Sequence, residues 1–169
     1  MDKLIEMVKD WAKERGLDKV DARTQYTKVI EELKELIVNG IYDERKEVID
    51  AIGDLQVTLI VYCKIRGIKY PKTNYEYIIF DGEDNFDEDE LRSSLLILVA
   101  KVGEIIEGYN KRNRHAEADG IEGALFQLDI ISELYGLTKE KCLEEAYKVI
   151  VNRKGKLIDG VFVKEEDLK

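Results

Sequence analysis

The sequence predicts an all-α fold: a helical bundle of about five to six helices, with a weak internal repeat of a helix pair and a short C-terminal strand. The 169 residues contain a single proline, and apolar residues recur with a period near 3.6 over long stretches, as in amphipathic helices. Glycines stand where several of these stretches end. With 44% hydrophobic residues the chain can build its own core, so we expect one domain over residues 1–169.

All the predicted helices except the fourth have a start or stop signal. The first five helices are predicted at about 2–15, 22–38, 43–66, 88–109 and 116–135. The signals are Gly16, Asn39 with Gly40, Gly67, Gly136, and Thr138, which caps a sixth helix that runs into NRKGK at 152–156. The segment GVFVK at 160–164 predicts a short extended strand.

Residues 69–90 interrupt the helical pattern. They contain the lone Pro71, closely spaced aromatic residues and an acidic run. Proline and a loss of periodicity are typical of loops, so we interpret this segment as a linker.

The helix pairs on either side of the linker form a weak repeat of helix, charged turn, helix and glycine, at about 22–67 and 91–136. An offset of 72 residues places EELKE on GEIIE, whereas the closing glycines match at an offset of 69. At the larger offset, the acids of the second copy are Glu104, Glu107, Asp119 and Glu122. The Asp and Glu of its second pair are exchanged and Glu31 is replaced by Gly103, so we expect a degenerate copy.

The charge balance limits the partners of the chain. Asp and Glu number 36 against 27 Lys and Arg, a net charge of −9, which argues against binding to duplex nucleic acid. No apolar run approaches the roughly 20 residues of a membrane span, and the charged N-terminal segment is unlike a signal peptide. Cys63 and Cys142 fit neither a disulfide framework nor a CxxC metal site, so we expect a cytoplasmic protein.

Carboxylates are concentrated on the second and third predicted helices. Glu32 and Glu35 lie one turn apart, and Glu47, Asp50 and Asp54 share one face of the next helix. That face becomes apolar further along, as in buried helices, so we expect the acids to point into the bundle. Facing carboxylates repel one another unless protons or cations intervene, and Mg²⁺, or Mn²⁺ in its place, bridges carboxylates to phosphates. The pattern therefore predicts a Mg²⁺ and triphosphate site; acids that only solvate a helix surface are the alternative.

The same acids resemble a family signature. EELKE with EVID resembles the EExxE…ExxD motif of the all-α nucleoside triphosphate pyrophosphohydrolases, the MazG-like superfamily that includes dimeric dUTPases and dCTP pyrophosphatases. The segments DWAKERG to EVIDAIGDLQVTLIV and CLEEAYKVIVNRKGKLIDGVFVKEEDL are similar to small MazG-like proteins along nearly their whole length. Residues 69–136 resemble an inserted or duplicated helix pair that single-repeat members lack.

The resemblance implies an enzyme that cleaves a nucleoside triphosphate between the α and β phosphates, releasing a monophosphate and pyrophosphate, in nucleotide-pool sanitation. The implied Mg²⁺ ligands are Glu32, Glu35, Glu47 and Asp50. Glu31 then either orients the attacking water or acts as its base. Asp54 supports the ligands or is only a surface acid of its helix. Homodimers or dimers of dimers are also implied, although the repeat can let one chain supply two pseudo-equivalent helix pairs.

Basic residues for phosphate contacts are fewer. Lys28 shares a helix row with Glu32 and Glu35, so it can reach a phosphate or balance the acids. Arg153 and Lys154 lie in NRKGK, which resembles the basic motif closing the family's last helix, although a basic helix C-terminus is also favoured by the helix dipole.

Further observations weigh against other readings. We expect Trp11 to pack in the core rather than stack on a base, and His115 to be solvated in a polar loop. A di-iron carboxylate bundle requires Glu-x-x-His pairs, and the only histidine has Arg112 three residues before it. A non-catalytic helical module that binds nucleotides or proteins remains the alternative function.

Overall fold

A computed structural model describes residues 1–73, 87–158 and 160–168 of the chain, and it confirms the all-α prediction. Within these ranges, six α-helices precede a two-stranded antiparallel sheet. The elements are α1 (Asp2–Glu14), α2 (Ala22–Ile41), α3 (Arg45–Arg66), α4 (Glu88–Asn110), α5 (Arg114–Leu134), α6 (Lys139–Val151), β1 (Gly155–Ile158) and β2 (Val161–Lys164), with 3₁₀ turns at Leu17–Lys19 and Glu165–Asp167. None of these helices is long and apolar enough to cross a membrane.

Two helix hairpins, α2–α3 and α4–α5, have the same connection geometry. The turn of the first contains Asp43 at φ 53° and that of the second Arg112 at φ 55°, both in the left-handed region. After the second helix of each hairpin, Gly67 and Gly136 adopt φ values of 62° and 66°. Both correspondences have an offset of 69 residues (43 to 112, 67 to 136). The loops therefore do not follow the offset of 72 that the acidic residues predicted.

Polar contacts join the two hairpins across an apolar core. Glu117 at the start of α5 is fully buried and accepts hydrogen bonds from Arg66 at 2.8 and 2.9 Å and from the Tyr62 hydroxyl at 2.9 Å. The Arg66 guanidinium also lies 4.7 Å from the ring centroid of Tyr109 on α4. Between α2 and α4, the Tyr26 hydroxyl donates to the Val102 carbonyl at 2.8 Å.

Several predicted limits are corrected by the structure. Gly40 lies inside α2 because the helix continues to Ile41 before its turn, and α5 begins at Arg114, so His115 is an exposed helix residue rather than a loop residue. Most of the predicted linker, residues 74–86, lies outside the described residues. Asp87 caps α4 by accepting from two backbone N–H groups.

The chain reverses direction after α6, and this places the C-terminal segment beside the bundle. The helix ends at Val151, and Gly155 begins β1, so the predicted helical extension through NRKGK is wrong. A side chain at Gly155 would come within 2.3 Å of the Val163 carbonyl, which explains a glycine where the two strands cross closely. The pairing of β1 with β2 sets Gly155 opposite Lys164.

Trp11 joins α1 to this end of the bundle. It is 8% exposed, its indole N–H donates to the Ile150 carbonyl at 2.9 Å, and the Arg15 guanidinium lies 5.0 Å from its ring centroid. Trp11 is therefore a core residue, as expected.

Candidate metal and phosphate site

The carboxylates of α2 and α3 lie on one side of the first hairpin but differ in exposure. Glu32 and Asp54 are half-buried, whereas Glu35, Glu47 and Asp50 are exposed. The prediction that the acidic face points into the bundle therefore holds in part for the first two and is wrong for the other three. Glu47 and Asp50 lie in the first two turns of α3, next to the exposed turn of the hairpin.

The surroundings of Glu32 and Asp54 disfavour their charged forms. Burial raises the pKa of Glu32 to about 7, with further increases from the negative charges of Asp54 and Glu35. Burial also raises the pKa of Asp54, and the charges of Asp50 and Glu35 add to that effect. Carboxylates of α2 and α3 thus repel one another at a position that is partly shielded from water.

Glu31 and Lys28 are paired with each other on the outer side of α2. The Lys28 ammonium donates to a carboxylate oxygen of Glu31 and also lowers the pKa of Glu32. In this structure Lys28 therefore balances the acids, which is one of the two roles that the sequence left open.

The donor set has the chemistry that a divalent cation requires, but its side chains do not surround a single point. Within the described parts of the chain, no three Asp, Glu, His or Cys side chains come together as a metal-binding group. Binding a cation between α2 and α3 therefore requires side-chain rotation. Glu35 and Asp50 are exposed and have the room to rotate, so the residues fit an oxygen-ligated cation such as Mg²⁺ after that adjustment.

A basic cleft lies where α6 ends and β2 returns. Its volume is about 630 Å³, and its lining includes Arg153, Lys154 and Lys164, with Glu165 and Glu166 as acidic members. Because it lies at the surface and carries several cations, it can hold an anionic group.

Two cations of the basic cleft lie close enough to one of the acids, Asp54, to affect its charge. The positive charges of Arg153 and Lys164 both lower the pKa of Asp54, against the raising effect of burial. The structure thus brings the predicted Arg153 beside the predicted acids, and it adds Lys164, which sequence reasoning missed. The signal for it was the short strand GVFVK, which pairs with a strand that begins inside NRKGK and so sets Lys164 opposite Gly155.

The second hairpin carries a different set of charges at the corresponding positions. At the offset of 69 residues, Lys101 occupies the place of Glu32 and Gly123 the place of Asp54. The Lys101 ammonium lies 3.0 Å from both carboxylate oxygens of Glu104, which corresponds to Glu35. A side chain at Gly123 would come within 2.5 Å of the Lys101 side chain, so the glycine makes room for the lysine.

Other acids of the second hairpin are also paired within their own helices. Glu107 forms an ion pair with Lys111, and the Asp119 carboxylate lies 2.8 Å from Nδ1 of His115. These pairs relieve the repulsion that persists in the first hairpin.

Neither a known protein family, nor a curated protein, nor a solved structure matches this chain significantly.

Proposed function

We propose that this protein is a Mg²⁺-dependent nucleoside triphosphate pyrophosphohydrolase of the MazG-like kind, which converts a nucleoside triphosphate to the monophosphate and pyrophosphate. One observation carries the proposal: Glu32 and Asp54, half-buried on two neighbouring helices, repel one another, and Asp54 also feels the positive charges of Arg153 and Lys164 in the basic cleft. Keeping mutually repelling acids in a partly buried place lowers stability, and such sites are enriched in functional residues.

Each part of the site has a role in this reaction. Glu32, Glu35, Glu47 and Asp50 would hold the cation, with Asp54 behind them, and the bound cation would neutralise phosphate charge and activate water. Arg153, Lys154 and Lys164 would bind the phosphate oxygens at the edge of the cleft.

The proton balance at the site follows from Glu32. With a pKa of about 7, this carboxyl is about half protonated at neutral pH, and a cation would displace its proton. Glu31 either orients the attacking water or accepts its proton; for the second role it must first separate from Lys28.

The test uses the purified protein, Mg²⁺ or Mn²⁺ and a panel of ribo- and deoxyribonucleoside triphosphates, with pyrophosphate as the readout. Glu35→Gln and Asp50→Asn should each reduce turnover by orders of magnitude without loss of helical structure, whereas the matched Glu104→Gln should retain it. Full activity in excess EDTA would contradict the proposal.

Metal binding has an independent readout. Mg²⁺ should raise the melting temperature by an amount that grows with its concentration, and its binding should release protons near pH 7. A melting temperature that is indifferent to Mg²⁺ counts against a cation site on this face.

A non-catalytic nucleotide- or protein-binding module is the second candidate. The absence of a preformed metal-binding group in the described residues and the Lys28–Glu31 ion pair favour it. It predicts triphosphate binding without pyrophosphate release, so the same assay separates the two functions.

A further inference from the structure

The outer face of α4 carries an apolar stripe. Leu96 is 73% exposed and Val99 43% exposed, and Ala100 and Gly103 on the same face are exposed as well. Their spacing of three, one and three residues places them in one row along the helix. Among the described residues, and apart from its own chain neighbours and helix backbone, no atom lies within 4 Å of the position that a Gly103 side chain would take, so the stripe is open to a partner.

Charged residues extend this row at both ends. Arg92 pairs with Glu88 before the apolar part, and Lys111 pairs with Glu107 after it. All four side chains are well exposed, between 59% and 68%, so their charged ends are accessible to another molecule. The charges of these four side chains sum to zero, whereas the whole chain carries a net charge of −9. Asp89, within 3.9 Å of Arg92, adds one negative charge at the first end.

The row is complementary to itself in the antiparallel direction. A two-fold axis between Val99 and Ala100 sets each of these residues opposite the other in a second copy, and it sets Leu96 opposite Gly103. The same axis places Arg92 of one copy opposite Glu107 of the other, and Glu88 opposite Lys111. Each larger side chain meets a smaller one, and each charge meets its opposite, as an isologous interface requires.

We propose that two copies of this chain associate through antiparallel packing of α4 against α4. Copies of an acidic protein repel one another, and the matched charges of this row offset that repulsion where the helices touch. The facing glycine lets Leu96 insert and brings the helices close together. On α2, the exposed Ile30 lies one turn beyond Tyr26, whose hydroxyl contacts α4, so it borders the row and widens the contact.

This interface is independent of the proposed catalysis. It lies on a helix outside the segments that resemble the MazG-like proteins, and it uses none of the acids of α2 and α3. Assembly and turnover can therefore be measured separately on the same variants.

The experiment is sedimentation velocity and size exclusion with light scattering on the full chain, with circular dichroism to verify folding. The wild type should be a dimer, and Leu96→Glu should weaken the dimer at least about tenfold because it buries a carboxylate against the partner. Ile97→Glu, on the same helix but outside the row, should leave the dimer intact. A monomeric wild type at tens of micromolar, or a dimer that survives Leu96→Glu, would overturn the proposal.

Charge reversal tests the register. Arg92→Glu and Glu107→Arg should each weaken the dimer because each creates two like-charge contacts across the axis, in addition to breaking a pair within the helix. The double variant breaks both helix pairs but restores the contacts across the axis, so it should dimerise more tightly than either single variant. A double variant weaker than both would exclude this register.

Discussion

The two helix hairpins share a backbone design and differ in chemistry. Their turns and closing glycines correspond at an offset of 69 residues, yet Glu32 and Asp54 in the first are replaced by Lys101 and Gly123 in the second. In the first hairpin, burial and then like charges raise the pKa of Glu32; in the second, the Lys101 ammonium group lies against the Glu104 carboxylate. The two hairpins therefore share a backbone, and the side chains at two positions decide whether acids repel one another there or a lysine pairs with an acid.

The surroundings of the two hairpins differ as well. The Gln56 side-chain amide of α3 donates to the Lys139 carbonyl at the start of α6 at 2.8 Å, and the chain after α6 brings Arg153 and Lys164 near Asp54. These cations stand beside the acids of the first hairpin. Acids and basic side chains thus lie close together at one hairpin, which makes the first hairpin the candidate for the proposed catalysis.

The largest expected difference between the hairpins is in turnover. Replacing Glu32 and Glu35 together by Gln should lower pyrophosphate release by about 100-fold or more, because it removes two charges from the proposed cation site. Replacing Glu104 and Glu107 together by Gln should retain most of the turnover, since within the chain these acids pair with lysines of their own helix and lie outside the proposed cation site. Equal losses in the two double variants would show that both hairpins carry chemistry.

Among the substitutions considered, loss of the Glu117–Arg66 ion pair between the hairpins should lower the free energy of unfolding most. Glu117→Gln leaves the Arg66 guanidinium without its buried carboxylate partner, and we expect the free energy of unfolding in urea to fall by about 2–4 kcal/mol. Glu122→Gln, at an exposed position of the same helix, should change it by less than about 0.5 kcal/mol. Similar values for the two variants would mean that the buried ion pair does not hold the hairpins together.

Glu32 should make the first hairpin sensitive to pH. Its pKa in the folded chain, about 7, lies above the ordinary value of 4.5, so the folded state favours the protonated form. The free energy of unfolding should therefore fall as the pH rises from about 4.5 through 7. Without divalent cations, Glu32→Gln should stabilise the chain at pH 8 by about 1–2 kcal/mol, allowing for partial exposure, and should have little effect near pH 4.5.

The matched variant for this measurement is Glu104→Gln. It removes the carboxylate that pairs with Lys101, so it should give no stabilisation at pH 8. A gain of equal size in both variants would indicate a general effect of net charge rather than local repulsion at Glu32.

The smallest expected effect comes from converting the second hairpin into a copy of the first. Lys101→Glu with Gly123→Asp places the acids of the first hairpin at the corresponding positions. Without divalent cations this variant should lose about 1 kcal/mol from renewed repulsion, and Mg²⁺ should raise its melting temperature more than that of the wild type. Lys101→Met, which only removes the ion pair, should not gain a response to Mg²⁺.

The fold was largely predictable because local patterns agree with it. Helical periodicity, the cap at Thr138 and the glycines at 67 and 136 act within one or two turns, so the sequence indicates them directly. Gly40 was misleading because a helix can tolerate an interior glycine when packing supports it; it lies against Leu95 of α4. The strand at Gly155 was missed because strand pairing depends on a partner elsewhere in the chain.

The site was predictable to a lesser degree. Spacing alone placed Glu32 and Asp54 among the acids of the first hairpin, and the resemblance singled out Arg153. The role of these residues stays a proposal. The exposure of Glu35, Glu47 and Asp50 could not be predicted. The apolar pattern beyond Asp54 indicated a buried face, but it does not show how far along the helix the neighbouring elements cover that face.

By itself, the sequence determined the all-α architecture, the helix pair that recurs and the concentration of carboxylates on its first copy. Each of these follows from residue spacing along a single helix, where the geometry is constant. Only the tertiary structure decided that the helix turns follow the offset of 69 residues of the closing glycines rather than that of the acids, that Lys101 with Gly123 replaces the acidic pair, and that Lys164 stands beside Asp54. These relations join residues far apart in the chain, and their distances depend on how helices pack and loops close rather than on any local pattern.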